Sequence, residues 1–319
     1  MILLTRKERV RIILFLKVML AGIFQNEFGW SKLRRLAYTS YCTEIFVPYF
    51  YLFFLFTTPF NFKLLALGLF IGTCLLTWLG VMVYLHRFIS HRSFQIRSRF
   101  LETVLAGFAT LSLQGYPLTW AYMHRRHHQS PDTDRDPHSP LYSSIMWIYA
   151  FFTINYNAYI SETDYLAYQA AFPKQLTGVT HEEYLTRIDR YALKTIGLQA
   201  LLFSILMYFG GWSWVVYFQC LPIVIVHVEV CLFINVMSHI YGYRNFDIKG
   251  DHATNHWSAG YTISEWQNNH HRFSASANNQ VKPWEIDILY LILLVWKKLG
   301  LVSDLIPRSS TTAEQVSGD

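Results

Sequence analysis

Apolar residues in this chain form long uninterrupted runs, not the short alternating stretches of a sheet protein. A helix needs about 20 mainly apolar residues to cross a bilayer. Four runs approach or reach that length, at about Ile45–Thr58, Leu64–Leu85, Thr195–Phe209 and Trp214–Ser238. The first ends at Pro59, and the third is closed by Gly210-Gly211. The pattern therefore predicts an all-α integral membrane protein with four transmembrane helices.

Three further segments do not fit a simple span. Phe100–Leu118 is apolar but carries polar positions, so we interpret it as a re-entrant or surface-packed helix. Residues 1–40 pair positive charge with an apolar run that Lys17 interrupts, which favours an amphipathic cytoplasmic arm over a cleaved signal peptide. Residues 41–306 then form one membrane domain. The polar residues 307–319 are predicted to be a disordered tail.

The positive charge is distributed unevenly along the chain. Charged residues make up only 15% of it, against about 25% in an ordinary soluble domain. Lysine and arginine concentrate in the N-terminal arm, the long segment between the second and third spans, and the C-terminal region, and the two short connections hold only Lys63. Since cytoplasmic loops are the basic ones, both termini and the long loop are predicted to be cytoplasmic. The net charge of +6 is explained by topology and lipid headgroups, and without a nucleic-acid motif we expect no nucleic-acid partner.

Histidines are the chemically informative residues of this sequence. Eight of the thirteen fall on the predicted cytoplasmic side in spaced groups. They are His86 and His91 (HxxxxH); His124, His127 and His128 (HxxHH); His270 and His271, preceded by Gln267 (QxxHH); and His239, four residues after Asn235. The remaining ones, His138, His181, His227, His252 and His256, we interpret as ordinary hydrogen-bonded or surface residues.

The histidine spacing indicates a two-metal site. Residues three and four apart share a helix face, so HxxHH places His124 beside both His127 and His128, with the last two directed to different sides. One such box can serve two neighbouring ions, and eight imidazoles suffice for two. Imidazole suits zinc, copper, iron and nickel, but zinc has no redox chemistry. The site is therefore predicted to hold two iron ions, unlike the carboxylate-rich di-iron bundles.

Nearby polar residues are candidates to support those ligands. Metal-bound imidazoles usually donate their other N–H to a carboxylate or carbonyl. Asp132, Asp134 and Asp136 follow the second box and Glu265 precedes the third, although loop solvation and capping would explain them equally well. Asn235 lies one turn before His239, where it would hold a metal-bound water or simply hydrogen-bond to another helix.

Together these residues make the sequence recognisable. It resembles the integral-membrane fatty-acid desaturases, most closely the stearoyl-CoA (delta-9) desaturase-like branch. The matching stretches are HRFISHRSF, WAYMHRRHHQSPDTDRDPHSP, NVMSHIYGYRNFD and SEWQNNHHRF, in the family's order. Residues 64–302 are mostly covered, whereas the first 40 residues and the stretch 143–195 match weakly.

The resemblance implies an oxygen-dependent enzyme that removes two hydrogens from a long fatty acyl chain, linked to CoA or to a lipid. Such enzymes hold two irons with nine histidines, of which the eight grouped histidines here would be counterparts. Asn235 matches the asparagine that supports a metal-bound water, and Trp120 matches an aromatic that lines the acyl tunnel. Electrons come from a separate donor such as ferredoxin, rubredoxin, or cytochrome b5 with its reductase. The absence of a fused carrier favours a bacterial inner membrane over the endoplasmic reticulum.

One position departs from the family pattern, because Gln267 stands where the third box usually begins with histidine. A glutamine carbonyl would be a weak ligand, or a water would fill the place. Two alternatives stay open at this point. One is a related di-iron hydroxylase or ketolase acting on lipid, alkane or carotenoid, which needs the same boxes. The other is a protein without activity, either a metal-binding membrane protein or a desaturase relative inactivated at Gln267.

Overall fold

The computed structural model describes residues 49–144 and 162–308, together with the isolated helical positions Arg6, Arg9, Val10, Ile13 and Val47. The predicted N-terminal arm and the beginning of the first span lie largely outside the described residues. The tail beyond residue 308 does so entirely.

The described part of the chain is mostly helical. Its helices are α1 (49–57), α2 (Phe62–Ser90), α3 (Arg99–Leu111), α4 (Pro117–Gln129), α5 (Glu162–Ala171), α6 (Pro173–Leu176), α7 (181–210), α8 (212–240), α9 (Trp257–Ile263), α10 (Gln267–Arg272) and α11 (Ile288–Lys298). Two short strands, β1 (Gln95–Ile96) and β2 (Val302–Ser303), pair antiparallel.

A hairpin divides the helical run His181–Ile240 into α7 and α8. Gly211 has φ 66° and ψ −162°, a conformation that is open to glycine and strained for other residues. The side-chain amide of Gln219 donates to the carbonyl oxygen of Gln199 at 3.1 Å and to its Oε1 at 2.7 Å. Because this contact joins a residue before Gly211 to one after it, the chain reverses at the glycine and the two arms run antiparallel. The glycine pair that closes the predicted third span, Gly210-Gly211, forms the turn of this hairpin.

Helices α2 and α8 pack side by side and run parallel. Gly68 and Gly72 leave room for the backbone at Tyr217 and Pro222, where a Cβ would collide. Further along both helices, Thr73 and Thr77 donate to the carboxyl group of Glu229 at 2.8 and 2.5 Å. Since the contacts advance in the same direction on both helices, His86 and His239 arrive at the same end of the pair.

Two described segments are long and apolar enough to cross a membrane, Phe62–Ser90 and His181–Ile240. They contain the second, third and fourth predicted spans, and they support membrane association. The apolar segment 100–118 is not one helix. It breaks after Leu111, where Leu113 and Gly115 have φ of 54° and 82°. Helix α3 is therefore about 20 Å long and packs on the surface of α2, where Gly80 admits its backbone.

Candidate metal centre

The end of α2 brings the first histidine pair together through a widened helical turn. On an ordinary α-helix, residues five apart point about 140° away from each other. Here the His91 N–H donates to the His86 carbonyl oxygen at 3.0 Å, a five-residue hydrogen bond typical of the π-helix. The two rings consequently lie 4.7 Å apart. The two histidines of the HxxxxH motif thus lie side by side because this helical turn is wider than an α-helical one.

Helix α4 sends its three histidines in two directions. His124 and His128 are one turn apart, and their Nε2 atoms lie 3.1 Å from each other. His127 is rotated by about 100° from His128, and its Nε2 lies 3.2 Å from that of His271.

Helix α10 repeats this arrangement. His270 faces the first group, with its Nε2 3.0 Å from both His86 Nε2 and His128 Nε2. Gln267 and His271, one turn apart, face the second group, and the side-chain nitrogen of Gln267 lies 3.0 Å from His271 Nε2. Each of the two boxes therefore serves both groups.

The result is two adjacent clusters of imidazole nitrogens. Within each cluster, the potential ligand atoms all lie within 4.8 Å of one another. The five-histidine pocket consists of His86, His91, His124, His128 and His270, and the three-histidine pocket consists of His127, His239 and His271. All eight histidines singled out from the sequence are thus brought together, with a five-to-three division that the spacing alone left open.

Every imidazole of the three-histidine pocket has a buried aspartate behind it. His127 Nδ1 lies 2.8 Å from Asp136 and His239 Nδ1 lies 3.0 Å from Asp132. His271 Nδ1 lies 2.6 Å from Asp251. A carboxylate acceptor assigns the ring proton to Nδ1, so each Nε2 carries its lone pair into the pocket.

The three aspartates are carboxylates at neutral pH. Burial by itself would raise the pKa of Asp132, but hydrogen bonds from His239 and Ser139 outweigh it and hold that pKa at about 2. In the same way, His127 and His271 hold the pKa values of Asp136 and Asp251 well below the usual range despite burial. The three-histidine pocket is therefore surrounded by three negative charges.

The five-histidine pocket has a different electrostatic environment. Its nearest carboxyl group, Glu265, lies 3.9 Å from His86 Nδ1 and 3.6 Å from His270 Nδ1, which is beyond hydrogen-bond distance. Burial raises the pKa of Glu265 to about 8, although Arg87 opposes that rise. Burial, reinforced by neighbouring histidines, lowers the pKa values of His124 and His128, so these rings are neutral at pH 7.

The residues present fit bound cations. With their Nδ1 protons directed at the aspartates, His127 and His271 point their Nε2 lone pairs at each other across 3.2 Å, an arrangement that a bound cation would stabilise. Buried polar atoms without a hydrogen-bond partner include His239 Nε2, Gln267 Oε1, and Nδ2 of Asn235, which lies four residues before His239. Imidazole nitrogens and an amide oxygen are suitable donors for a transition metal, and a metal-bound water would satisfy the asparagine.

The other residues singled out from the sequence do not all lie at the site. Asp134 is exposed, whereas Asp251, which no sequence pattern singled out, supports the pocket. Asp251 lies 20 residues before His271, so no local spacing pointed to it. Trp120 is buried with its ring stacked on His124 at 5.1 Å, next to the five-histidine pocket. His138 is buried against Asp136, in agreement with its interpretation as a hydrogen-bonded residue.

Comparisons with known proteins agree with these features. The family profile described as "Fatty acid desaturase" matches residues 61–286. The chain is 32% identical over 253 residues to the Delta-9 desaturase-like 4 protein of Arabidopsis thaliana, covering 77% of this chain and 78% of that one. It is 31% identical over 255 residues to Delta-9 acyl-lipid desaturase 1 of the same plant, covering 77% of each. It is 32% identical over 257 residues to the sn-1 stearoyl-lipid 9-desaturase of Anabaena variabilis, covering 77% of this chain and 86% of the relative.

Proposed function

The chain belongs to the fatty acid desaturase family and is an oxidoreductase, and we propose that it places a cis double bond in a long saturated acyl chain. The observation that carries this proposal is the convergence of eight imidazoles into two adjacent pockets. The five-histidine pocket would hold one iron ion. The three-histidine pocket would hold the other, with Gln267 as a weak ligand and Asn235 acting through water. When bound, the irons supply the reduction of O2 and the removal of the two hydrogens.

The protein's own part is to orient ligands and substrate. The aspartates fix the rings of the three-histidine pocket, and Trp120 forms a wall beside His124. An apolar cavity of about 250 Å³ lies between α2, α3, α7 and α8. Its lining includes Leu76, Phe108, Leu202, Phe218 and Ile223. Since Leu76 precedes His86 by ten residues along α2, the cavity lies further from the end of that helix than the histidines do. We assign it to the methyl end of the acyl chain, so that its depth sets which carbons react.

The acyl carrier is proposed to be a membrane lipid. Two of the relatives are named for acyl-lipid and stearoyl-lipid substrates, and the Anabaena protein is a 9-desaturase. We therefore favour a lipid-linked stearoyl chain and carbon 9 over an acyl-CoA substrate.

A separate protein is proposed as the electron donor. A cavity of about 230 Å³ opens beside His91 and His128 and is lined by Arg92, Arg125 and Arg126. An acidic carrier docked on this basic surface would come close to the five-histidine pocket, and opposite charge favours such an encounter.

The proposed topology has four spans and a helical cytoplasmic cap. Support comes from α2 and α8, which run parallel, and from α7, which runs antiparallel to α8. This order requires α2 and α8 to cross in the same direction and to carry their histidines to one face. The basic loops support a cytoplasmic position for that face.

Lipid mass spectrometry of a host that makes no unsaturated fatty acids tests the function. We expect expression of the chain to yield monounsaturated acyl lipids, with the double bond at carbon 9. His127→Ala combined with His270→Ala is the matched control and should yield none. Products that gain oxygen without losing two hydrogens would contradict desaturation and indicate a hydroxylase.

A further inference from the structure

The two pockets provide unequal numbers of imidazoles. The five-histidine pocket offers five nitrogens, whereas the three-histidine pocket offers three, with Gln267 where the resembled family has a histidine. An amide oxygen is a weaker donor than imidazole for iron. On ligand count alone, an ion in the three-histidine pocket would be held more weakly.

The hydrogen bonds behind the rings show the opposite imbalance. Each ring of the three-histidine pocket donates to its own aspartate, at 2.8, 3.0 and 2.6 Å. In the five-histidine pocket, the carboxyl group of Glu265 approaches two rings no closer than 3.6 Å. The ring-supporting carboxylates are therefore concentrated on the pocket that lacks an imidazole.

We propose that Asp132, Asp136 and Asp251 retain the second ion in place of the missing imidazole. The proposal rests on the proposed function, because it takes the ions to be those of the desaturase centre. A carboxylate that accepts the Nδ1 proton makes Nε2 a stronger donor, and three carboxylates balance the charge of a bound cation. Each such partner typically changes metal affinity by about 10–100-fold.

Asp251 provides the sharpest test of this proposal. Its Oδ1 accepts the Ala253 N–H at 2.8 Å, and its Oδ2 accepts the His271 Nδ1–H at 2.6 Å. In Asp251→Asn, the Ala253 N–H still requires an oxygen, so the new NH2 group faces His271. His271 must then accept at Nδ1 and carry its proton on Nε2, where it blocks metal binding.

The experiment counts iron in the purified full-length protein. Wild-type and Asp251→Asn are loaded anaerobically with Fe²⁺, dialysed against a graded chelator series, and analysed by inductively coupled plasma mass spectrometry. We expect two ions per chain in the wild-type protein and one in Asp251→Asn, with the second ion bound about 10–100-fold more weakly. The ion retained in the five-histidine pocket reports that the variant is folded.

Two further variants separate ion retention from general disruption. Glu265→Gln alters the buried carboxyl group of the five-histidine pocket and should keep both ions, because Glu265 makes no hydrogen bond to those rings. Gln267→His in the Asp251→Asn background returns the number of available imidazoles in the pocket to three and should return the count to two. Two ions in Asp251→Asn, equal loss in Glu265→Gln, or no rescue by Gln267→His would each overturn the proposal.

The proposal and the proposed function fail in distinguishable ways. Wild-type protein that binds iron but makes no alkene refutes the function and leaves the ion-retention result intact. An active desaturase whose Asp251→Asn variant holds both ions refutes only the role of the aspartates.

Discussion

His86 and His270 place their Nε2 atoms 3.0 Å apart, although they are separated by 184 residues in the sequence. His86 lies in the last turn of α2 and His270 lies on α10, so the five-histidine pocket forms only when these helices pack together. Both side chains are almost fully buried. Substituting either histidine therefore tests the assembled site.

Replacing His270 with alanine should remove one imidazole from the five-histidine pocket. We expect iron binding to fall to at most one ion per chain and alkene formation to fall below detection. Metal analysis and lipid mass spectrometry measure the two effects. His252→Ala, whose side chain is exposed, is the control and should retain both iron and activity. Full activity in His270→Ala would contradict the assigned ligand set.

Exchanging the metal should separate binding from chemistry. Imidazole binds zinc as well as iron, but zinc does not change oxidation state. We expect chelator-treated protein to take up Zn²⁺ without forming product, and to recover activity when Fe²⁺ replaces the zinc. Metal content and product are measured on the same sample. Product formation by the fully zinc-loaded protein would contradict a redox role for the metal.

The apolar cavity should set the length of the acyl chain. Ile223 is 2% exposed and lines this cavity, so Ile223→Phe should shorten the space left for the methyl end. We expect products to shift toward acyl chains about two carbons shorter, as read by lipid mass spectrometry. Leu67→Phe is the control, because Leu67 lies on α2, which lines the cavity through Leu76, but is itself 49% exposed. An unchanged product profile in Ile223→Phe would place the tunnel elsewhere.

A buried ion pair should stabilise the end of α2. Arg87, next to His86, donates to Asp287 at 3.0 Å, and both side chains are nearly inaccessible. Asp287→Ala leaves an unpaired buried charge, and we expect it to lower the free energy of unfolding by about 3–5 kcal/mol. The matched control is the exposed pair Arg97–Asp304, where Asp304→Ala should cost no more than about 1 kcal/mol. Equal losses in denaturant unfolding in detergent would contradict this difference.

Much of the fold and site was accessible from sequence because its signals are local. The long apolar runs predicted the helices within Phe62–Ser90 and His181–Ile240, and Gly210-Gly211 marked the hairpin. The motifs also predicted the desaturase family, which the comparisons confirmed. The pair of HxxHH-type boxes indicated two directions of projection, since residues three and four apart diverge on a helix by a fixed angle.

Local spacing did not predict which side chains from distant segments contact one another. Asp134 lies within the second box's acidic loop, yet it faces solvent, whereas Asp132 reaches His239 across 107 residues. The wide turn that joins His86 to His91 also has no simple sequence signature.

The sequence by itself determined which side chains are available and along which helix faces they project, because helix geometry repeats every few residues. Only the tertiary structure decided that the imidazoles divide five to three, and that Asp251 stands behind His271. Those relationships depend on how α2, α4, α8 and α10 pack together, and packing joins residues that no short spacing connects.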